Sequence, residues 1–71
     1  MNNDICIKLG ERVRRLRKNK ALTQDQLAEK AGISTKYLQN LEGKTPKVAS
    51  IITLEKIAKA FKMTPSQLIN F

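Results

Sequence analysis

The 71-residue chain has no histidine, a single cysteine and no cluster of carboxylates. A disulfide framework and a nitrogen- or sulfur-ligated metal site are therefore both excluded. The lone Cys6 reads as a small buried apolar residue rather than a reactive thiol. Catalysis lacks its usual parts, since there is no nucleophile with an evident base and no glycine-rich phosphate loop. Neither an enzyme nor a cofactor nor a small-molecule substrate is expected. No apolar run approaches the roughly 18 residues needed to cross a bilayer, and MNNDICIKLGERV is not a charged leader followed by an apolar stretch. The expectation is a soluble, cytoplasmic protein with no membrane partner.

Shortness adds a constraint. A chain of this size buries only about 60% of the surface its unfolded form exposes, so its stability margin is thin. With disulfides and metals excluded, oligomerisation is the remaining way to reinforce the fold.

Negative charge is also scarce: 14 basic residues stand against 6 acidic ones, a formal charge of +8. Half of the basic residues fall between Lys8 and Lys20. Such an excess points to a polyanionic partner, either nucleic acid or an anionic surface. A membrane surface is disfavoured, because the apolar side of that basic segment is needed by the core.

Five helices and no strands are predicted, since no segment alternates with period two. Ile5, Leu9, Val13 and Leu16 recur at helical spacing and define a first helix over 5–18. Thr23 with Gln26 forms a capping box opening a second helix, which buries Leu27, Ala28 and Ala31. Gly32 supplies a turn, Ser34 caps a third helix over 35–42, and Gly43 ends it. Ser50 caps a fourth, whose core face is Leu54, Ile57, Ala58 and Phe61. Thr64-Pro65-Ser66-Gln67 opens a fifth, ending at Phe71.

Gln24 to Gly43, QDQLAEKAGISTKYLQNLEG, carries the functional signal. Two helices that cross steeply within 20 residues need a small residue at closest approach and a reversal of three or four residues. Ala28 and Gly32 meet those needs. With Leu38 and Leu41 turned inward, the third helix presents Thr35, Lys36, Gln39, Asn40 and Gly43 outward. Any amphipathic helix has a polar outer face, but the donors of Lys36, Gln39 and Asn40 suit guanine and adenine edges in a major groove. Thr35 suits an edge or a thymine methyl. An acidic or apolar outer face would instead have favoured a protein-interaction adaptor.

The ordered set Leu22-Thr23-Gln24, Leu27-Ala28, Ala31-Gly32, Leu38, Leu41-Glu42 and Ile57-Ala58 resembles the phage repressor and Cro-like (XRE-type) helix-turn-helix proteins, over nearly the whole chain. The resemblance implies an all-α, compact five-helix lambda-repressor-like DNA-binding domain over 1–71, with the helix-turn-helix at 24–43. It implies phosphate contacts from Gln24, Arg17 and Tyr37, and from Lys44, Thr45 and Lys47 after the third helix. Such contacts position the protein rather than specify sequence. It also pairs Arg17 with Glu42 in a partly buried salt bridge. Arg14, Arg15 and Lys18 read mainly as a solvated face.

Ile52 departs from the common pattern, its position being often polar in relatives. At about 100° per residue it lies roughly 160° around the helix from Leu54 and roughly 180° from Phe61, so it cannot join the same core. A second subunit would bury Ile52 together with Ile69 or Phe71 in a two-fold interface. Such a homodimer would set two recognition helices about 34 Å apart on double-stranded DNA, matching an inverted repeat. The short SIITL-containing chain is similar to restriction-modification controller proteins. Prophage repressors and antitoxin-type regulators share much of the pattern.

Overall fold

Side-chain caps decide where the helices begin. In the computed structural model, which describes residues 4–43 and 50–71, the hydroxyls of Thr23, Ser34, Ser50 and Thr64 each accept from the backbone amide three residues on. At Thr23 and Thr64 the glutamine three residues later accepts from the cap's own amide, at 2.8 and 2.9 Å, closing two reciprocal capping boxes. Each cap stabilises its helix by about 1 kcal/mol. The resulting helices are α1 (Asp4–Asn19), α2 (Gln24–Ala31), α3 (Thr35–Glu42), α4 (Ile51–Ala60) and α5 (Pro65–Leu68). There is no strand among the described residues.

Three helix ends share one device. The amides of Leu22, Ile33 and Met63 donate to the carbonyls of Arg17, Ala28 and Ala58, five residues back, at 3.0, 3.0 and 2.9 Å. Each closure needs a left-handed residue just before the donor: Ala21, Gly32 and Lys62, with φ of 57°, 71° and 58°. Only Gly32 adopts that conformation without steric penalty.

The core is a single cluster in which Val13, Leu27, Leu38, Leu41, Ile57 and Leu68 are fully enclosed, with Leu9, Ala28, Ala31, Ala58 and Phe61 around them. Helix α1 packs on α3 and α5, α2 on α3 and α4, and α4 on α5. The bundle thus holds the α2–α3 pair from both sides, with Leu38 and Leu41 as the inward face of α3. Cys6 is buried, as its apolar reading requires.

Three details differ from the sequence expectations. Ile5 is exposed, because the inward face of α1 is Cys6, Leu9, Gly10 and Val13, about 100° round from Ile5. Gly10 sets that rotation: a Cβ built on it would overlap the carbonyl oxygen of Leu41, so the α1 and α3 backbones meet there. Leu54 is half-buried at the edge of the core rather than inside it. Helix α5 stops at Leu68 and not at Phe71, since the Arg12 guanidinium takes the carbonyls of Leu68 and Gln67 at 3.2 and 3.1 Å.

Candidate nucleic-acid interface

The turn between α2 and α3 is built so that α3 shows one face outward. Gly32 reverses the chain, Ile33 packs against the core and Ser34 restarts the helix. With Leu38 and Leu41 inward, Lys36, Gln39 and Asn40 are exposed on the opposite side. Thr35, at the start of the same helix, is half-buried, and its hydroxyl donates to the Asp25 carboxylate at 2.7 Å. Gly43 follows with an extended backbone, φ −81° and ψ −176°, not the left-handed cap its position suggests. A Cβ there would come within 3.2 Å of the Gln39 carbonyl oxygen, a tight but not prohibitive approach.

Behind this face lies a polar cluster joining three helices. Arg17 of α1 grips Glu42, the last residue of α3, through Nε and one terminal nitrogen, both at 3.0 Å. Its other terminal nitrogen donates to the Leu22 carbonyl at 2.8 Å. The two side chains are only 11% and 3% exposed, so each charge is largely removed from water and compensated by the other. Gln24 joins the cluster by donating its amide to Glu42 at 3.2 Å. Arg17 is therefore a structural post holding the end of α3. Gln24 is anchored from below, with one amide hydrogen still available to an anion.

Arg14, Arg17, Lys18, Gln24, Gln39, Glu42 and Gly43 together line a cleft of about 460 Å³. Glu42 is matched by Arg17, so the cleft keeps the charge of Arg14 and Lys18, both exposed. These two were read from sequence as a solvated face; the structure sets them beside Gln24 and Gln39. Arg14 lies one turn before Arg17 and Lys18 directly follows it, and their own i, i+4 spacing is the signal that could have placed them there. Arg15 is exposed and does not line the cleft. Tyr37 is half-buried. Lys44, Thr45 and Lys47 lie outside the described residues.

Apolar side chains are exposed elsewhere, on α4 and after α5. Ile52 is 66% exposed, as its helical phase demands, and Ile69 and Phe71 are also exposed. Ile51 is 81% exposed although its helical phase, three residues before Leu54 and seven before Ala58, is that of the core side, so periodicity alone does not announce it. No helix among the described residues is long and apolar enough to cross a membrane.

Comparison with known proteins agrees with this architecture. Residues 10–70 match the family model described as "Helix-turn-helix domain". The chain is 33% identical to the control protein C.BamHI of Bacillus amyloliquefaciens, covering 100% of this chain and 88% of that one. The crystal structure of the restriction-modification controller protein C.AhdI from Aeromonas hydrophila superposes with a TM-score of 0.82 at 32% identity, covering 89% of this chain and 94% of the other. The regulator SinR of Bacillus licheniformis is 34% identical over 87% of this chain, which spans 56% of SinR's length. A structure of SinR in complex with DNA gives a TM-score of 0.80 at 32% identity, covering 87% of this chain and 98% of that one. These relatives are regulators and control proteins, consistent with a chain that is not an enzyme. From the match over residues 10–70 and the shared five-helix architecture, the chain belongs to the helix-turn-helix domain family.

Proposed function

We propose that the chain is a transcriptional regulator of the cytoplasm that binds specific double-stranded DNA as a homodimer. One observation carries this reading: the outward face of α3. Lys36, Gln39 and Asn40 stand exposed there, their side chains not engaged by other described residues, beside a cleft that holds the charge of Arg14 and Lys18. A helix presented in this way enters a major groove, where these donors meet base edges. Gln24, Tyr37, Arg14 and Lys18 then flank it toward the phosphates; for Lys44, Thr45 and Lys47, which follow α3 in sequence, the family resemblance assigns the same role. Arg17 contributes mainly by holding α3 in place.

The homodimer reading rests on Ile51, Ile52, Ile69 and Phe71, carried by α4 and by the end of α5, two helices that pack together. Two copies joined there would present paired recognition helices to an inverted repeat. Among regulators of this family, similarity along most of C.BamHI and C.AhdI favours a controller-type protein acting on its own operon. A prophage repressor or antitoxin-type regulator is the alternative.

Selection of bound fragments from random DNA tests the reading, since it returns base preference, symmetry and half-site spacing together. The expected result is an inverted repeat with half-sites about 10 base pairs apart, present upstream of the chain's own coding region. Lys36→Ala and Asn40→Ala should each weaken specific binding by roughly five- to a hundredfold, the range for loss of one good base contact, while leaving the helical circular dichroism unchanged. Retention of full specificity in both variants would exclude α3 as the reading element.

A further inference from the structure

Thr35 and Asp25 lie on different helices and are joined by one short bond. The Thr35 hydroxyl has a single hydrogen, and it donates that hydrogen to Asp25 Oδ1 at 2.7 Å. Asp25 sits in the first turn of α2 and is exposed; Thr35 is the first residue of α3, at the end of the reading face. A carboxylate on a surface that meets phosphates opposes binding, so its presence there calls for a compensating role. A first-turn acid does favour a helix N-terminus, but that role does not require it to reach across and hold a residue of the neighbouring helix.

We infer that Asp25 is a specificity-determining residue, which makes Thr35 an acceptor and thereby selects an exocyclic amino group on the DNA. With its hydrogen held by Asp25, the Thr35 oxygen has only lone pairs to offer, and the carboxylate beside it is likewise an acceptor. In the major groove the matching donors are adenine N6 and cytosine N4. The acceptors guanine O6 and thymine O4 would face oxygen against oxygen. A threonine without this partner is ambivalent, because its hydroxyl rotates to donate or accept as the base requires. Asp25 removes that freedom. The same carboxylate lowers affinity for any DNA by repelling phosphate, so discrimination at one base is gained against overall binding strength.

This inference rests on the proposal that α3 reads bases, and the test separates the two. Binding sites are selected from random DNA with the full chain and with Asp25→Ala, Thr35→Val, Lys36→Ala and Asn40→Ala, each checked for retained helicity. The position at which Thr35→Val loses its preference identifies the base that Thr35 faces. Adenine or cytosine is expected there with the unaltered chain. Asp25→Ala is expected to reduce the discrimination at that same position by up to about tenfold, the size of one net hydrogen bond. Elsewhere it should leave preferences unchanged, and it should tighten binding to unrelated DNA. Guanine or thymine at that position, or an unchanged Asp25→Ala profile alongside altered Lys36→Ala and Asn40→Ala profiles, overturns the role of Asp25 and leaves the reading face standing. Unchanged profiles in all four variants overturn the reading face, and the inference with it.

Discussion

At the scale of single residues, the most constraining position is one that a helix would ordinarily reject. Gly10 sits in the middle of α1, where alanine is better by about 1 kcal/mol on propensity alone. Yet a methyl group there would overlap the Leu41 carbonyl oxygen, and that neighbour is backbone, which cannot swing aside. Overpacking of this kind costs about 1–3 kcal/mol and sometimes more, so it outweighs the propensity gain. Gly10→Ala is therefore expected to lower stability by up to roughly 2 kcal/mol and the thermal midpoint by up to about 10 °C. Thermal denaturation followed by circular dichroism checks this, and an unchanged or raised midpoint would show that α1 and α3 can separate at no cost. Nothing local in the sequence marks Gly10 as a contact point. The reason for it is tertiary, since the atom it avoids is 31 positions away in the chain. The Arg17–Glu42 pair was legible for the opposite reason, through family resemblance. Its coupling to Gln24 was not, because Gln24 is equally compatible with a plain helix start.

Elements were the most legible scale, because their beginnings are written in short-range chemistry. Thr23, Ser34, Ser50 and Thr64 were read as caps from the sequence, and each accepts from the amide three residues on. Ends were harder. The end of α5 is set by Arg12, whose guanidinium arrives from another helix more than 50 positions earlier, and no local pattern announces that. The ends of α1 and α4 rest on Ala21 and Lys62 in left-handed backbone, a conformation that disfavours any residue with a Cβ by about 1 kcal/mol or more. Ala21 is exposed, so replacing it by glycine removes that penalty without opening a cavity. The gain is reduced by the greater freedom of glycine in the unfolded chain, roughly 0.5–1 kcal/mol. Ala21→Gly should thus raise stability by up to about 1 kcal/mol. Urea denaturation would show this as a higher midpoint at constant slope, whereas a lower midpoint would mean that α1 does not depend on this closure.

For the whole molecule, the question is how so small a bundle gains enough stability and enough DNA contact. A domain of this length is expected to be stable by only about 4–10 kcal/mol, and one copy of α3 reaches a single half-site. Association through α4 and α5 would address both, and the exposed Ile51, Ile52, Ile69 and Phe71 are the surface available for it. Fully burying an isoleucine side chain stabilises by about 1.5–3 kcal/mol. A two-fold interface contains each residue twice, so Ile52 would contribute roughly 2–4 kcal/mol across the two copies even if incompletely covered. Ile52→Glu removes that contribution and brings two carboxylates into the interface. The dimer dissociation constant is expected to rise by at least about thirtyfold in sedimentation analysis. The monomer should keep its fold, since Ile52 is largely exposed and is not one of the residues that form the core cluster. On DNA, the variant should lose most of its affinity for a complete inverted repeat while binding an isolated half-site as the unaltered chain does. The logarithm of affinity should also fall less steeply with the logarithm of salt concentration, because a slope of about 0.9 per neutralised phosphate is halved when only one subunit is bound. Equal dimer affinity in the variant would place the interface elsewhere and leave Ile52 as an isolated apolar residue on the surface.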